Sequence, residues 1–216
     1  MLDRVRFRSY EKDYDVFTDL LEVNPEARLL DIGCKEGGRT LQFAAKIGTS
    51  HIVGVDIQNL HVPFILVQTD IDAGLPTLER ESFDVVTVSQ VLEHVSNTDR
   101  LIKEAYRILK PNGYVVVGTP NIASGRVILE LLLNKQPNTS HVSDYFILRG
   151  DPGQEWRKSE GNLHRRLFTL EGLRSLLEYY DFKVEKEVGT GYGPFPFLEA
   201  ILRGRYAANL VVKARK

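Results

Sequence analysis

The chain has 216 residues, 43% of them hydrophobic, with 28 basic and 29 acidic side chains. This length and apolar content suffice for one substantial core, so we expect a single domain over residues 1–216. The nearly balanced charge disfavours nucleic acid as a partner, because binding to a polyanion draws on a large positive field. The single cysteine, Cys34, excludes an internal disulfide and favours a reducing compartment.

Two further features of the sequence bear on location. Met1–Tyr10 lacks the apolar stretch of a signal peptide, and the longest apolar run, Val127–Leu133, is far too short to cross a bilayer. We therefore expect a cytoplasmic protein without a membrane span.

The first half of the chain alternates short apolar runs with turns. A glycine-rich turn at Gly33–Gly38 follows the first run, and Thr40–Ile47 then spaces its apolar residues as a helix does. The runs are apolar on both faces, which is typical of parallel strands covered by helices. The predicted strands are Ala27–Ile32, His51–Ile57, Pro63–Ile71 and Phe83–Ser89.

The second half continues the alternation. A helix is predicted at Ser96–Lys110, with Ser96 or Asn97 as its N-cap and Pro111–Gly113 as its end. A second helix begins after the capping residue Thr169. Further strands are predicted at Tyr114–Gly118, Phe182–Val188 and Tyr206–Lys213. This order of elements predicts a doubly wound α/β sheet.

Residues 122–163 interrupt the alternation. They hold an apolar helix, Val127–Leu133, followed by a long polar stretch, and an irregular segment of this length is usually a lid or binding loop. We predict a lid or substrate insertion here, in which His141, Tyr145 and Trp156 are candidates to line an acceptor pocket. The helix is expected to be buried; a homodimer contact or a surface for a lipid-like acceptor are the alternatives.

Acidic side chains stand where the predicted strands end. In an open parallel sheet, ligands bind outside the carboxyl ends of the strands, which here carry Asp31, Asp56 and Asp70. Gly33 and Gly37 allow the backbone to approach a ligand closely. Asp56 is placed to accept hydrogen bonds from two ribose hydroxyls, so any adenosine-containing ligand would satisfy it.

Several segments, in chain order, resemble motifs of the class I methyltransferases of types 11 and 23. Among them, Gln68–Pro76 is most similar to the MetW-like branch of these proteins. The segments are Leu29–Gly37, Val53–Asp56, Gln68–Pro76, Ser82–Val95, Leu109–Gly113 and Thr119–Asn121. The resemblance implies a Rossmann-like sheet of about seven strands, mostly parallel with an antiparallel last strand, in three αβα layers. It also implies S-adenosylmethionine as the cofactor, and we expect no metal ion.

The resemblance assigns roles at the strand ends. Asp31 and Gly33 would hold the methionine amino group, and Asp56 the ribose hydroxyls. Asp70 would accept from the adenine amino group, while the backbone at Ile71 would meet a ring nitrogen. A cation, a diol and an amine are all donors, which suits carboxylate and carbonyl acceptors. The implied cofactor-binding residues are Asp31, Gly33, Gly37, Asp56, Ile57, Asp70, Ile71 and Ser89.

Plainer roles remain open for several of these positions. Ile57 would pack on the adenine face. Asp31 could cap the turn that follows it instead of binding the cofactor. Asp70 and Asp72 could be turn formers. The sequence also departs from the family at Lys35, where glycine is usual, so a side chain there must point away from the cofactor or contact its carboxylate.

Two histidines are the predicted catalytic bases. Methyl transfer from a sulfonium is a displacement at an activated carbon, so a base is needed only when the acceptor carries a proton. His94 lies at the mouth of the fourth predicted strand, and His164 lies in a segment that resembles the family's motif after the insertion. Each could instead serve packing or backbone hydrogen bonding. Cys34 is expected to be a packed residue, not a nucleophile.

The predicted function is methyl transfer from S-adenosylmethionine to a small metabolite, sugar or lipid-like acceptor. One alternative is a nicotinamide-dependent oxidoreductase, because Gly33, Gly38 and Asp56 approximate a dinucleotide fingerprint. Lys35 argues against it, since the backbone must approach a pyrophosphate at that position. Another alternative is a non-catalytic protein that keeps the cofactor pocket and serves as a partner subunit.

Overall fold

The computed structural model describes residues 15–137, 139–143, 146–147, 157–158, 163–191 and 205–216. Its strands in chain order are β1 (Leu29–Ile32), β2 (Ile52–Asp56), β3 (Ile65–Gln68), β4 (Phe83–Ser89), β5 (Leu109–Pro120), β6 (Phe146–Ile147), β7 (Arg157–Lys158), β8 (Lys183–Thr190) and β9 (Asn209–Arg215). Its helices are α1 (Gly38–Ile47), α2 (Thr98–Ile108), α3 (Gly125–Leu132) and α4 (Leu170–Tyr179), and residues 15–19 are also helical.

Seven strands form one sheet in the order β3-β2-β1-β4-β5-β9-β8. The first five are parallel, with Leu30 opposite Val53 on one side and Val86 on the other. Strand β9 runs antiparallel between β5 and β8. The prediction of a doubly wound, mostly parallel sheet with an antiparallel last strand is confirmed.

Side chains alternate between the two faces of this sheet, as the two-residue period of a strand requires. Leu29 and Leu30 are both fully buried, but they belong to different core clusters. Leu30 packs on the face covered by α2 and α4, and Leu29 packs on the face covered by α1 and Phe17. Helices on both faces give the three αβα layers.

The edge of the sheet at β3 is thinly covered. The connection from β2 to β3 contains no helix, and the connection from β3 to β4 contains only the 3-10 turn Ile71–Ala73. Ile65 on β3 is 67% exposed, and Ile57 just after β2 is 63% exposed. An apolar surface therefore lies open beside the carboxyl end of β2.

Element boundaries differ from the predictions where tertiary pairing overrides local turn signals. Strand β5 begins at Leu109, which pairs with Phe83 before a register shift, so the predicted stop at Pro111–Gly113 lies within the strand as a bulge. The helix caps are as predicted. The side chain of Asn97 accepts from the amide of Arg100, and that of Thr169 accepts from the amide of Gly172.

Helix α3 is not the buried lid helix that the sequence suggested. Only Val127 of this helix is buried, whereas Leu129, Leu131 and Leu132 are 57%, 55% and 79% exposed. The prediction of burial is wrong because the contact with the domain covers only the side that carries Val127, while Arg126 and Glu130 pair with each other at 2.8 Å and most of the leucines face outward.

The insertion leaves and rejoins the sheet at neighbouring points. The amide of Ile122 donates to the carbonyl of Phe168 at 2.9 Å, and the amides of Arg165 and Arg166 donate to the carbonyl of Glu93 at 2.7 and 3.1 Å. Between these ends, β6 and β7 pair as a short antiparallel ladder. The candidate pocket residues Tyr145 and Trp156 lie outside the described residues.

The described helices have one further property in common. None of them has the length and apolar character that a bilayer crossing requires. That the whole chain is one domain with an insertion stays a prediction.

Candidate functional site

Asp31, at the tip of β1, is a buried carboxylate held by two hydroxyls. It is 3% exposed, and it accepts from the hydroxyl of Thr40 on α1 at 2.5 Å and from that of Thr87 on β4 at 2.7 Å. Burial raises the pKa of Asp31 from 3.8 to about 6, although both hydroxyls favour the charged form. Asp31 therefore ties the glycine-rich turn to its neighbours, and its predicted contact with a methionine amino group stays a prediction.

The turn after β1 depends on glycine at two positions. Gly33 has φ +78°, and a Cβ there would lie 2.2 Å from a methyl carbon of Val91. Gly37 has φ +80°, and its Cβ would lie 2.8 Å from the ring of Phe64. A larger residue at either position would be strained in its backbone and would collide with a packed side chain.

Lys35 adopts the conformation that glycine usually supplies. Its φ is +46°, its side chain is exposed, and its amide donates to a carboxylate oxygen of Asp56 at 3.0 Å. Burial raises the pKa of Glu93 and lowers that of His94; the charge of Lys35 is a smaller influence that favours the lower pKa in both groups. The departure from the family pattern thus leaves the turn intact and adds a cation beside it.

Asp56 is the last residue of β2, and each of its carboxylate oxygens accepts a hydrogen bond from one backbone amide. Oδ2 accepts from the amide of Lys35, and Oδ1 accepts from the amide of Gln58, each at 3.0 Å. Each carboxylate oxygen can accept a second hydrogen bond. These amides fix the orientation of Asp56 next to the exposed Ile57, which is the arrangement expected of a ribose and adenine site.

The turn after β3 separates two neighbouring acids by role. Asp70 is exposed, and its Oδ1 accepts from the amide of Asp72, so it forms the turn and keeps its other oxygen available. Asp72 accepts from the amides of Ser96 and Asn97 at 3.0 and 2.8 Å, which lowers its pKa against the effect of burial. Asp72 is therefore a structural acceptor, as its turn-former alternative anticipated in part, and Ile71 packs partly buried against the core.

The predicted bases His94 and His164 lie together, although 70 positions separate them in the chain. Their ring centroids are 5.0 Å apart in an edge-to-face arrangement. Nδ1 of His94 lies 3.0 Å from the carbonyl of Leu163, and Nδ1 of His164 lies 3.2 Å from that of Thr139. Since a carbonyl only accepts, each Nδ1 carries the proton when the ring is neutral, and each Nε2 presents a lone pair.

Glu93 is the member of this cluster that sequence reasoning missed. Its side chain is 2% exposed; Oε2 accepts from the hydroxyl of Thr119 at 3.0 Å. Oε1 has no hydrogen-bond partner among the described residues, and it lies 3.8 Å from Nε2 of His94. Burial raises the pKa of Glu93 to about 7. The available signal was an acid inside the apolar run after β4, next to the histidine already singled out.

His141 supports the cluster from the insertion. Its ring stacks on that of His164 with centroids 5.0 Å apart, and its Nδ1 accepts from the backbone amide of His164 at 3.0 Å. Burial and the neighbouring histidines lower the pKa of His164 to about 4, and burial also lowers that of His94. Both rings are thus neutral at pH 7 and available as acceptors.

The expectation of no metal ion stays a prediction, although this cluster groups three possible metal ligands. Glu93, His94 and His164 each offer a ligand atom, and these atoms all lie within 4.8 Å of one another.

Ser89, predicted to touch the cofactor, lies partly buried at the end of β4. It directly precedes Gln90, which has φ +57° and begins the turn that leads to the cluster.

The chain is similar to known proteins. The family model described as a methyltransferase domain matches residues 4–187. A mitochondrial ubiquinone biosynthesis O-methyltransferase of Rattus norvegicus is 27% identical over 187 residues, which cover 78% of this chain and 48% of that protein. A ubiquinone biosynthesis O-methyltransferase of Pseudomonas syringae pv. syringae is 27% identical over 183 residues, which cover 76% of this chain and 75% of that protein. The chain thus spans about half the length of the rat relative.

A solved structure extends the likeness to the fold. An S-adenosylmethionine dependent methyltransferase from Mesorhizobium loti superposes with a TM-score of 0.63 at 18% identity, over 94% of this chain and 97% of that one. Together, the family match and the sheet topology favour methyl transfer over the nicotinamide alternative. The chain belongs to the methyltransferase domain family and has the class I, S-adenosylmethionine-dependent methyltransferase fold.

Proposed function

We propose that the protein transfers a methyl group from S-adenosylmethionine to a hydroxyl of a small, lipid-like molecule. The observation that carries the proposal is the convergence of cofactor-type acceptors and a polar cluster at one edge of the sheet. Asp56 ends β2 and Ile57 follows it, and Glu93 and His94 lie after β4, so both groups stand at the carboxyl ends of parallel strands.

The residues at the strand tips fit the cofactor. Asp56 is oriented by two amides and retains acceptor capacity for a ribose diol. Ile57 offers an exposed apolar surface for an adenine ring, and the exposed Asp70 has an oxygen free of its turn. When bound, S-adenosylmethionine would supply a methyl group activated by its bond to the sulfonium sulfur, which leaves as a neutral thioether, so that the protein chiefly has to align donor and acceptor.

An oxygen acceptor suits the polar cluster. A hydroxyl has to lose its proton during transfer, and His94 and His164 each present an unprotonated ring nitrogen for that purpose. The curated relatives from rat and Pseudomonas are named O-methyltransferases, which supports oxygen over carbon or nitrogen. Their names also refer to a lipid quinone, and the exposed leucines of α3 offer an apolar surface for such an acceptor.

The first test concerns the cofactor. We expect Asp56→Ala to weaken S-adenosylhomocysteine binding by at least about tenfold in calorimetry, because a hydrogen bond to a charged group contributes roughly 1.5–3 kcal/mol. Asp84→Ala is the matched control, since Asp84 lies at the opposite end of β4. Unchanged affinity in the Asp56 variant would contradict the assignment.

The second test concerns the acceptor. Incubation with a labelled methyl donor and a panel of phenols, sugars, prenylated quinols and amines should label a hydroxylated lipid-like compound. Labelling of nitrogen compounds alone would overturn the acceptor class. Cofactor binding without any transfer would favour the non-catalytic alternative. A cytoplasmic location, a homodimer through residues 122–163 and the absence of a nucleic-acid partner remain predictions, which fractionation, light scattering and binding assays address.

A further inference from the structure

Three lone pairs meet in the cluster after β4. Glu93, His94 and His164 place one ligand atom each within 4.8 Å of the others. Nδ1 of His94 lies against the carbonyl of Leu163, and Nδ1 of His164 lies against the carbonyl of Thr139. Because those Nδ1 atoms carry the protons, the Nε2 atom of His94 faces Glu93 as an acceptor, at 3.8 Å from Oε1.

Glu93 makes this arrangement incomplete as it stands. One of its oxygens is satisfied by Thr119, but Oε1 is buried and has no hydrogen-bond partner among the described residues. A buried acceptor without a partner costs about 1–3 kcal/mol, and more when it is charged. A cation among the three groups would satisfy all of them at once.

We propose that Glu93, His94 and His164 bind one divalent first-row metal ion of the Zn²⁺ class. Two imidazoles and one carboxylate are a common ligand set for such ions, and catalytic zinc sites pair three protein ligands with one open position. Imidazole ligands disfavour Mg²⁺ and Ca²⁺, which prefer oxygen.

The surroundings hold the ligands as metal sites require. A ligating histidine usually donates its second ring N–H to a carbonyl or carboxylate, which fixes the ring and raises the basicity of the ligating nitrogen. Both histidines here have such a carbonyl, and the hydroxyl of Thr119 holds the carboxylate. His141 stacks on His164 and thereby limits rotation of its ring.

The ion would give the cluster a task within the proposed function, on which this step rests. A hydroxyl bound at the open position has a lowered pKa, so the acceptor would release its proton to water more readily. His94 and His164 would then act as ligands of the ion, and no separate base would be required.

Lys35 opposes the ion electrostatically. Its ammonium group acts on Glu93 and His94 through its charge, so it would repel a cation bound by them. Lys35→Gly removes this charge and suits the left-handed backbone at the position, where φ is +46°. We expect this variant to bind Zn²⁺ roughly 3- to 10-fold more tightly than the wild type.

The experiment uses the full, untagged chain, stripped of metal with a chelator and titrated with Zn²⁺, Mn²⁺ and Mg²⁺ by calorimetry. We expect one Zn²⁺ per chain and much weaker Mg²⁺ binding. Glu93→Gln, His94→Gln and His164→Gln should each weaken Zn²⁺ binding by about 100-fold or more, since loss of an outer partner alone costs about 10- to 100-fold. His51→Gln, an exposed histidine outside the cluster, is the matched control and should leave binding unchanged.

Thermal unfolding of each variant reports whether it is folded. Should Glu93→Gln fail to fold, the two histidine variants carry the test, because both rings are only partly buried. Zn²⁺ binding that is absent in the wild type, or equal in the wild type and the ligand variants, would overturn the metal site. If S-adenosylhomocysteine still binds in that case, the proposed function survives. If Zn²⁺ binds as expected and the nucleoside does not, the metal site stands and the cofactor assignment fails.

Discussion

The buried carboxylate of Asp31 predicts an unusual response to substitution. We expect Asp31→Asn to be more stable than the wild type at pH 8, because the change removes a charge that burial disfavours. The amide has the same shape and can accept from one of the two hydroxyls. It can donate to the oxygen of Thr87, whose proton has the carbonyl of Leu30 as an alternative acceptor at 3.3 Å.

The size and sign of the effect follow from the pKa. The pKa of Asp31 is 3.8 in the unfolded chain and about 6 in the fold. The protein therefore loses up to about 3 kcal/mol of stability as the pH rises through this range. The loss is absent below about pH 4 and complete above about pH 7. In a chain of this size, it corresponds to a difference in Tm of up to about 6–12 °C at pH 8.

Differential scanning fluorimetry from pH 4.5 to pH 8 measures this difference directly. The Tm of Asp31→Asn minus that of the wild type should grow with pH and level off near neutrality. Asp84→Asn is the matched control and should be less stable than the wild type, because Asp84 pairs with Lys110 at 2.8 Å and accepts from the amide of Arg28. A gap that does not vary with pH, or a less stable Asp31 variant at pH 8, would refute the reasoning.

The same variant tests the predicted contact with the cofactor. An ammonium group beside Asp31 favours its charged form, so stabilisation of the wild type by S-adenosylhomocysteine should increase between pH 5 and pH 7. Asp31→Asn should lose most of this stabilisation. Equal ligand-induced shifts in both proteins would mean that Asp31 serves only the turn.

Three other substitutions test the surroundings. Gly33→Ala should destabilise the turn by at least about 1–2 kcal/mol through its left-handed backbone alone, whereas Gly38→Ala, whose Cβ meets nothing within 4 Å, should be tolerated in the same urea titration. Leu132→Ser should change the free energy of unfolding by less than about 0.5 kcal/mol, whereas the fully buried Leu101→Ala should cost about 2–5 kcal/mol. Asp72→Ala frees two amides before α2 and should lower Tm at pH 7. Because the pKa of Asp72 is lowered in the fold, this deficit should fade as the pH falls through that pKa.

The sheet was predictable because its central strands are buried on both faces. Apolar runs such as Phe83–Ser89 identify parallel strands, and parallel strands bring their carboxyl ends to one edge. The position of Asp56 at that edge therefore follows from the sequence. The start of β5 did not follow, because Leu109 joins the strand by pairing with Phe83, a contact that local turn signals do not report.

The polar cluster was only half predictable. His94 and His164 were recognised one at a time by resemblance, but their contact depends on the insertion returning to the tip of β4. Glu93 was missed because an acid within an apolar run carries no periodic signal; its burial becomes visible only once β5 supplies Thr119. The exposure of α3 was also not predictable, since the spacing of apolar residues identifies a hydrophobic surface but does not show whether another element covers it.

The closed base of the insertion has an evolutionary consequence. Because its two ends are fastened to the sheet at Ile122 and at Arg165–Arg166, the intervening chain can lengthen or shorten at a small entropic cost, about 0.6 kcal/mol for each doubling. Since we predict that this segment contacts the acceptor, its exchange would change the acceptor preference while the sheet and its strand-tip acids are retained.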